Sequence, residues 1–147
     1  MGAAIANRLV DWAGGLTVYD LRADAVAPLV EAGARAATDL KDVASAATVI
    51  SVVVLTDAQV RDVVAELIEA AAPGTVIAVH STIDTETAPL LAEAGARRGV
   101  HVLDVALTGG PGGAAEGKLV AMVGGDREAY EQAKPVFARC PSLLLYF

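Results

Sequence analysis

The residues from Thr48 to Leu55, Thr-Val-Ile-Ser-Val-Val-Val-Leu, constrain the fold more than any other stretch. They are β-branched and nearly continuous in apolar side chains, which suits a strand covered on both faces rather than one with a solvated side. Such a strand belongs in a parallel sheet with helices above and below it. Its flanks agree. Thr56-Asp57 reads as the cap of a helix from Ala58 to Ala72, in which Val60, Val63, Val64, Leu67 and Ile68 recur at helical spacing. Pro73-Gly74 then turns the chain into a second strand, Thr75 to His80.

The same alternation runs through the rest of the chain. Ala3 to Trp12 reads as a helix with Ile5, Leu9 and Trp12 on one stripe, followed by a short strand, Leu16 to Tyr19. A helix from Ala23 to Ala32 closes at Gly33, and Arg35 to Thr38 and Leu40 to Ala46 suit a short strand and a short helix. Beyond His80 the pattern predicts a helix from Asp84 to Arg98, strands at Val100 to Ala106 and Leu119 to Val123, a helix capped by Asp126 and ending near Ala138, and a last strand at Leu143 to Phe147. Strands alternating with helices mean βαβ units, so the expected fold is α/β, a doubly wound and mostly parallel sheet in one domain.

Composition excludes several classes of function. With 18 acidic against 11 basic residues the net charge is −7, which disfavours a nucleic acid backbone or an anionic membrane as partner. The longest apolar runs, such as Val52 to Leu55, fall far short of the ~20 residues of a membrane helix. Cys140 is the only cysteine, so no internal disulfide and no Cys/His metal cluster is expected, and a reducing, cytoplasmic setting is the simplest inference.

Three stretches carry candidate chemistry. From Asp104 to Gly117 the chain reads as a glycine-rich loop after a strand, with five of its fourteen glycines in nine residues and the Thr108 hydroxyl beside Gly109 and Gly110. Backbone approaches a ligand closely where no Cβ intervenes, and a flexible connector is the alternative. At the start, Gly2 can be the third glycine of a dinucleotide-binding fingerprint, with Asp20 eighteen residues later at the end of the next strand. The two earlier glycines and the first strand of that fingerprint are missing. His80-Ser81-Thr82 ends a central strand, where hydroxyls can bind a ligand or cap the next helix; His80 itself suits a hydrogen-bonded histidine at a strand end.

In order and spacing, Met1-Gly2, Val18-Tyr19-Asp20, Val79-His80-Ser81-Thr82, the Asp104 to Gly117 stretch and Met122-Val123-Gly124-Gly125-Asp126 resemble the β-hydroxyacid dehydrogenases. Over Met1 to Arg139 the chain is similar to the Rossmann-like cofactor domain of a 3-hydroxyisobutyrate dehydrogenase, a family related to 6-phosphogluconate dehydrogenase. That resemblance implies hydride transfer from a small 3-hydroxy acid to NAD or NADP. It assigns the substrate to Thr108, Gly109 and Gly110, where the family usually carries Asp-Ala-Pro-Val-Ser-Gly-Gly and this chain has Asp104-Val-Ala-Leu-Thr-Gly-Gly. It assigns the cofactor to Gly2, Asp20, Arg22, Leu55, Thr56, Ser81 and Thr82. Asp20 favours NAD, because a carboxylate accepts from ribose hydroxyls and repels a 2′-phosphate, while Arg22 keeps NADP open. The resemblance further implies a domain truncated at both ends: its first strand and glycine turn would precede Met1, and the catalytic lysine sits on a helical C-terminal domain outside this chain. The edge left by the missing strand gives the alternative expectation, a noncatalytic nucleotide-binding module that self-associates.

Overall fold

The computed structural model describes residues 1–147. In chain order its elements are α1 (Gly2–Asn7), β1 (Thr17–Val18), α2 (Ala23–Glu31), β2 (Arg35–Ala36), α3 (Leu40–Ala46), β3 (Val49–Val52), α4 (Asp57–Ala70), β4 (Val76–Val79), α5 (Thr87–Ala96), β5 (His101–Thr108), α6 (Gly110–Glu116), β6 (Leu119–Gly124), α7 (Arg127–Phe137) and β7 (Pro141–Tyr146). Strands and helices alternate as the sequence predicts.

The sheet is divided. β1 pairs only with β2, while β3 to β7 form a second sheet in sequence order. Every pairing is parallel except β5 with β6, whose ten-residue connection is too short for a parallel crossover and instead folds back. In a doubly wound sheet one more parallel strand belongs between β1 and β3, and no residue of the chain fills that place. This is the Rossmann-like fold without its first strand.

The gap explains why several elements are shorter than expected. β3 ends at Val52 rather than Leu55, since Val53 to Leu55 have no strand to pair with on their outer side. Burial on both faces, expected for this stretch, is realised in β4 instead, where Val76, Ile77, Ala78 and Val79 are all buried; in β3 Ser51 is exposed. α1 covers only Gly2–Asn7, and the chain from Arg8 to Trp12 continues in i→i−3 turns that still bury Leu9. α5 begins at Thr87, three residues after the expected start.

Two layers of helices enclose the larger sheet. On one face Val43 and Ala44 of α3, Val60, Val64, Leu67 and Ile68 of α4 and Leu91 of α5 pack against Ile50, Val52, Ile77, Val79 and Val102. On the other, Ala129, Tyr130, Ala133 and Phe137 of α7 meet Val76, Ala78, Leu103, Val105, Ala121 and Val123. A smaller cluster of Ile5, Leu9, Ala114, Leu119 and Cys140 ties α1 to α6. Each large aliphatic side chain so buried contributes about 1.5–3 kcal/mol, which is what holds short strands in register. No helix is long and apolar enough to cross a membrane.

Candidate functional site

The C-terminal ends of parallel strands are where an open α/β sheet binds ligands, and the predicted residues lie at four of them. Asp20 follows β1, Leu55 and Thr56 follow β3, Ser81 and Thr82 follow β4, and Thr108 closes β5. β5 runs four residues past Asp104, its last partner for β4. Thr108 therefore projects beyond the sheet, and Gly109 leads directly into α6.

The expected glycine-rich loop is in fact the end of a strand and a helix. Pro111 at the helix start brings a fixed φ suited to the first turn, and Ala114 buries against the α1 cluster. Gly109 and Gly110 have φ of 124° and 63°, conformations that side-chain-bearing residues rarely adopt. A Cβ on Gly109 would also stand 3.1 Å from Leu119 Cδ2. The Thr108 hydroxyl, exposed, makes no hydrogen bond within the protein.

Gly2 packs at the end of β3, its missing Cβ facing Val53 at 3.5 Å. Next to it, Ser81 is buried and wholly engaged: its Oγ donates to Val54 O at 2.7 Å and accepts from Val54 N at 3.0 Å. Ser81 thereby carries the β3–β4 ladder one step past its last backbone bond, His80 N to Val52 O. Ser81→Ala leaves both Val54 groups unpaired and is expected to cost about 2 kcal/mol, measurable as a lower urea midpoint with an unchanged slope. Thr82, by contrast, is exposed and its hydroxyl is free.

Thr56 caps α4: its hydroxyl accepts from Gln59 N, and Gln59 Oε1 accepts from the amides of Thr56 and Leu55 at 3.1 and 3.0 Å. Leu55 is left 91% exposed at the sheet's ligand end, as is Leu21 at 90% beside Asp20. Leu21 is a residue the sequence reading missed; its signal was an apolar side chain directly after the strand-end carboxylate. Asp20 Oδ1 accepts from the Arg22 amide at 2.9 Å, which fixes the carboxylate and leaves its other oxygen open. The Arg22 guanidinium pairs with Asp24, whose carboxyl it holds below the usual range. The structure thus joins Gly2, the β3 end and Ser81 directly and sets α6 against α1, while Asp20 and Arg22 belong to the separate β1–β2 sheet.

His80 departs from the expectation of a satisfied histidine. Its Nε2 lies 3.1 Å from Ser51 Oγ, but its Nδ1 is buried with no hydrogen-bond partner, and burial pushes its pKa down to about 4. The ring faces Phe137 edge-on in a small apolar cavity shared with Ile5, Leu9 and Cys140. Burial also raises the Cys140 thiol pKa, and no group of His, Cys, Asp and Glu is arranged to hold a metal ion.

Known proteins match this chain throughout. A family model described as the NAD binding domain of 6-phosphogluconate dehydrogenase covers residues 1–146. An uncharacterised oxidoreductase of Mycobacterium tuberculosis is 48% identical over 148 residues, across 99% of this chain and 50% of its own length. An NAD-dependent L-serine dehydrogenase of Pseudomonas aeruginosa is 39% identical, across 93% of this chain and 47% of its own. The structure of Mycobacterium tuberculosis 3-hydroxyisobutyrate dehydrogenase with L-serine superposes at a TM-score of 0.93 with 26% identity, across 99% of this chain and 50% of that one. The chain spans about half the length of the relatives it matches. With its whole length matched by one family model and its strand ends arranged as above, the chain belongs to the NAD-binding domains of the 6-phosphogluconate dehydrogenase type, found in oxidoreductases like 3-hydroxyisobutyrate dehydrogenase.

Proposed function

We propose that this chain is the cofactor half of a dehydrogenase that oxidises a small 3-hydroxy acid, with NAD preferred to NADP. The observation that carries the reading is the row of free hydroxyl, carboxylate and amide groups at the ligand end: Asp20, Thr82, Thr108 and the glycines after it. Asp20 would hold the adenosine ribose, Leu21 and Leu55 would flank the adenine, and the open α1 amides beginning at Gly2 would face the pyrophosphate. Thr56 and Ser81 position these groups rather than contact the ligand, since each hydroxyl is engaged in capping or cross-linking the backbone. When bound, the nicotinamide supplies the hydride acceptor. Thr82 would orient it, and Thr108 with the Gly109 and Gly110 amides would hold the substrate carboxylate. By resemblance, the lysine that takes the hydroxyl proton belongs to a separate helical domain.

NAD is favoured because the one cation beside Asp20, Arg22, is paired with Asp24 instead of standing free for a 2′-phosphate. Calorimetric titration tests this. Binding is expected to be weak, with NAD ahead of NADP, and Asp20→Ala should lower NAD affinity about tenfold, or 1.4 kcal/mol. NADP binding more tightly would reverse the cofactor assignment.

The split sheet favours a second reading, a nucleotide-binding module that pairs with its own copies through the open edge of β1 or β3. Sedimentation at rising concentration distinguishes them, a clean monomer counting against self-association.

A further inference from the structure

The connection from β4 to α5, Ser81 to Glu86, belongs to no helix or strand, and it carries Thr82 with its free hydroxyl. Its near end is held by the two contacts of the Ser81 hydroxyl with Val54. Its far end is held from α4. Asp57, in the first turn of that helix, accepts from the Asp84 amide on Oδ1 at 3.1 Å and from Arg61 Nε on Oδ2 at 2.6 Å. Arg61 Nη2 in turn donates to Thr87 Oγ1 at 2.5 Å, and Thr87, the first residue of α5, is fully buried. The Thr87 amide closes the circuit on Asp84 O at 3.0 Å. Since α5 has no side-chain cap of its own, these contacts fix its start. The platform beneath them is rigid, because Thr56 and Gln59 cap α4 reciprocally. The Arg61 guanidinium and, after it, the Thr87 hydroxyl hold the Asp57 carboxyl below the usual carboxylate range, so it stays an acceptor at neutral pH.

We propose that Asp57, Arg61 and Thr87 are positioning residues of the candidate cofactor site, holding Thr82 where the nicotinamide end of the cofactor would meet it. The inference rests on the proposed cofactor reading, from which it takes only the role of Thr82. Geometry rather than stability singles out the network. An exposed Asp–Arg pair one helical turn apart adds little to folding, and another such pair, Arg97–Glu93 on α5, ends in its single contact. Arg61 differs in spanning two helices: one arm of its fork stays on the α4 carboxylate and the other reaches the α5 hydroxyl. A lysine has one ammonium and cannot occupy both places. Thr82 thus lies between two anchors, Ser81 on β3 and Asp84 on α4, and touches neither partner itself.

The test titrates the 147-residue chain by NMR with two probes, NAD and ADP-ribose, the second being NAD without its nicotinamide. The unsubstituted chain should bind NAD about fivefold more tightly than ADP-ribose, on the scale of one net hydrogen bond. Arg61→Met keeps the aliphatic stem and Thr87→Val keeps the shape; each should shrink that preference to about twofold or less while ADP-ribose affinity stays within about twofold. Thr87→Ser retains the hydroxyl and should retain the preference, whereas Arg61→Lys should not. Arg97→Met removes the same charge elsewhere and should leave the preference as it was. Hydrogen exchange reads the anchor with no ligand present: the Asp84 amide should exchange about tenfold faster in Arg61→Met and Thr87→Val, with the amides of β4 unchanged. Equal affinities for the two probes in the unsubstituted chain, or no binding of either, would remove the role of Thr82 and this inference with it. A preference for NAD that survives Arg61→Met and Thr87→Val would leave the cofactor reading standing and overturn the positioning role alone. So would a parallel fall in affinity for both probes, which would make the network a structural brace only.

Discussion

Between pH 6.5 and 4 the domain is expected to lose about 3 kcal/mol of stability through a single side chain, His80. The folded protein holds this imidazole in an apolar cavity with Nδ1 unpartnered, so its pKa is about 4 where an unfolded chain has 6.5. The unfolded state therefore binds a proton over that window that the folded state refuses. Stability is at its full value above the unfolded pKa, falls as pH drops from 6.5, and stops falling near 4. The ion-paired carboxylates Asp24, Asp42 and Asp57, with pKa values lowered by Arg22, Arg35 and Arg61, contribute stability that is lost only at more acidic pH. Asp104 works in the opposite direction, because its raised pKa lets the folded state take up a proton first. Urea melts across this range isolate His80 if repeated with His80→Leu. The side chain suits a cavity lined by Ile5, Leu9, Val105 and Phe137, and the slope assigned to His80 should disappear. A variant that keeps the wild-type slope would show that the acid sensitivity lies elsewhere.

Leu103→Ala should be the most damaging truncation in the α7 layer, at about 3 kcal/mol. Leu103 is fully buried in the middle of β5, and its Cδ2 lies 2.7 Å from where a Cβ on Gly125 would be. That contact makes the two positions dependent. Gly125→Ala is strained on its own, with φ of 130° and a methyl driven into Leu103. Combined with Leu103→Ala the methyl enters the space left behind, so the double variant should be more stable than the sum of the single effects by about 1 kcal/mol. Chemical melts of the four proteins measure it, and strict additivity would mean that the backbone around Gly125 had already shifted.

Much of this was legible in the chain. The alternation in the sequence located every helix and strand except α6; periodicity reports burial, and burial decides most of these elements, β2 with its two exposed residues excepted. Thr56 and Asp126 were readable as caps, and the structure adds the reciprocal Gln59 contact and the Ala129 amide at 2.9 Å. α6 was hidden because four of its seven residues are Gly or Pro, which read as loop; packing of Ala114 against Ile5 and Leu9 overrides that preference. The ends of β3 were misjudged because strand length depends on a neighbour, and one neighbour is missing. The double engagement of Ser81 with Val54 and the orphaned nitrogen of His80 were invisible for another reason. Both depend on which atoms face one another across residues far apart in sequence.

The division of the sheet between β1 and β3 has a kinetic counterpart. No ladder hydrogen bond crosses that boundary, so the region from Leu16 to Ala36 is attached to the rest of the domain through neighbours such as α1 and α3, by side-chain packing and by the Arg35–Asp42 ion pair to α3. Regions held in this way open on their own, at free energies well below that of global unfolding. Amide hydrogens of Arg35 and Ala37, bonded to Leu16 O and Val18 O, should exchange much faster than those of β4 at the same pH. A molecule spanning Asp20 and Thr82 would bridge the two units, so its binding would be read as slowed exchange in a segment that it touches only at one end.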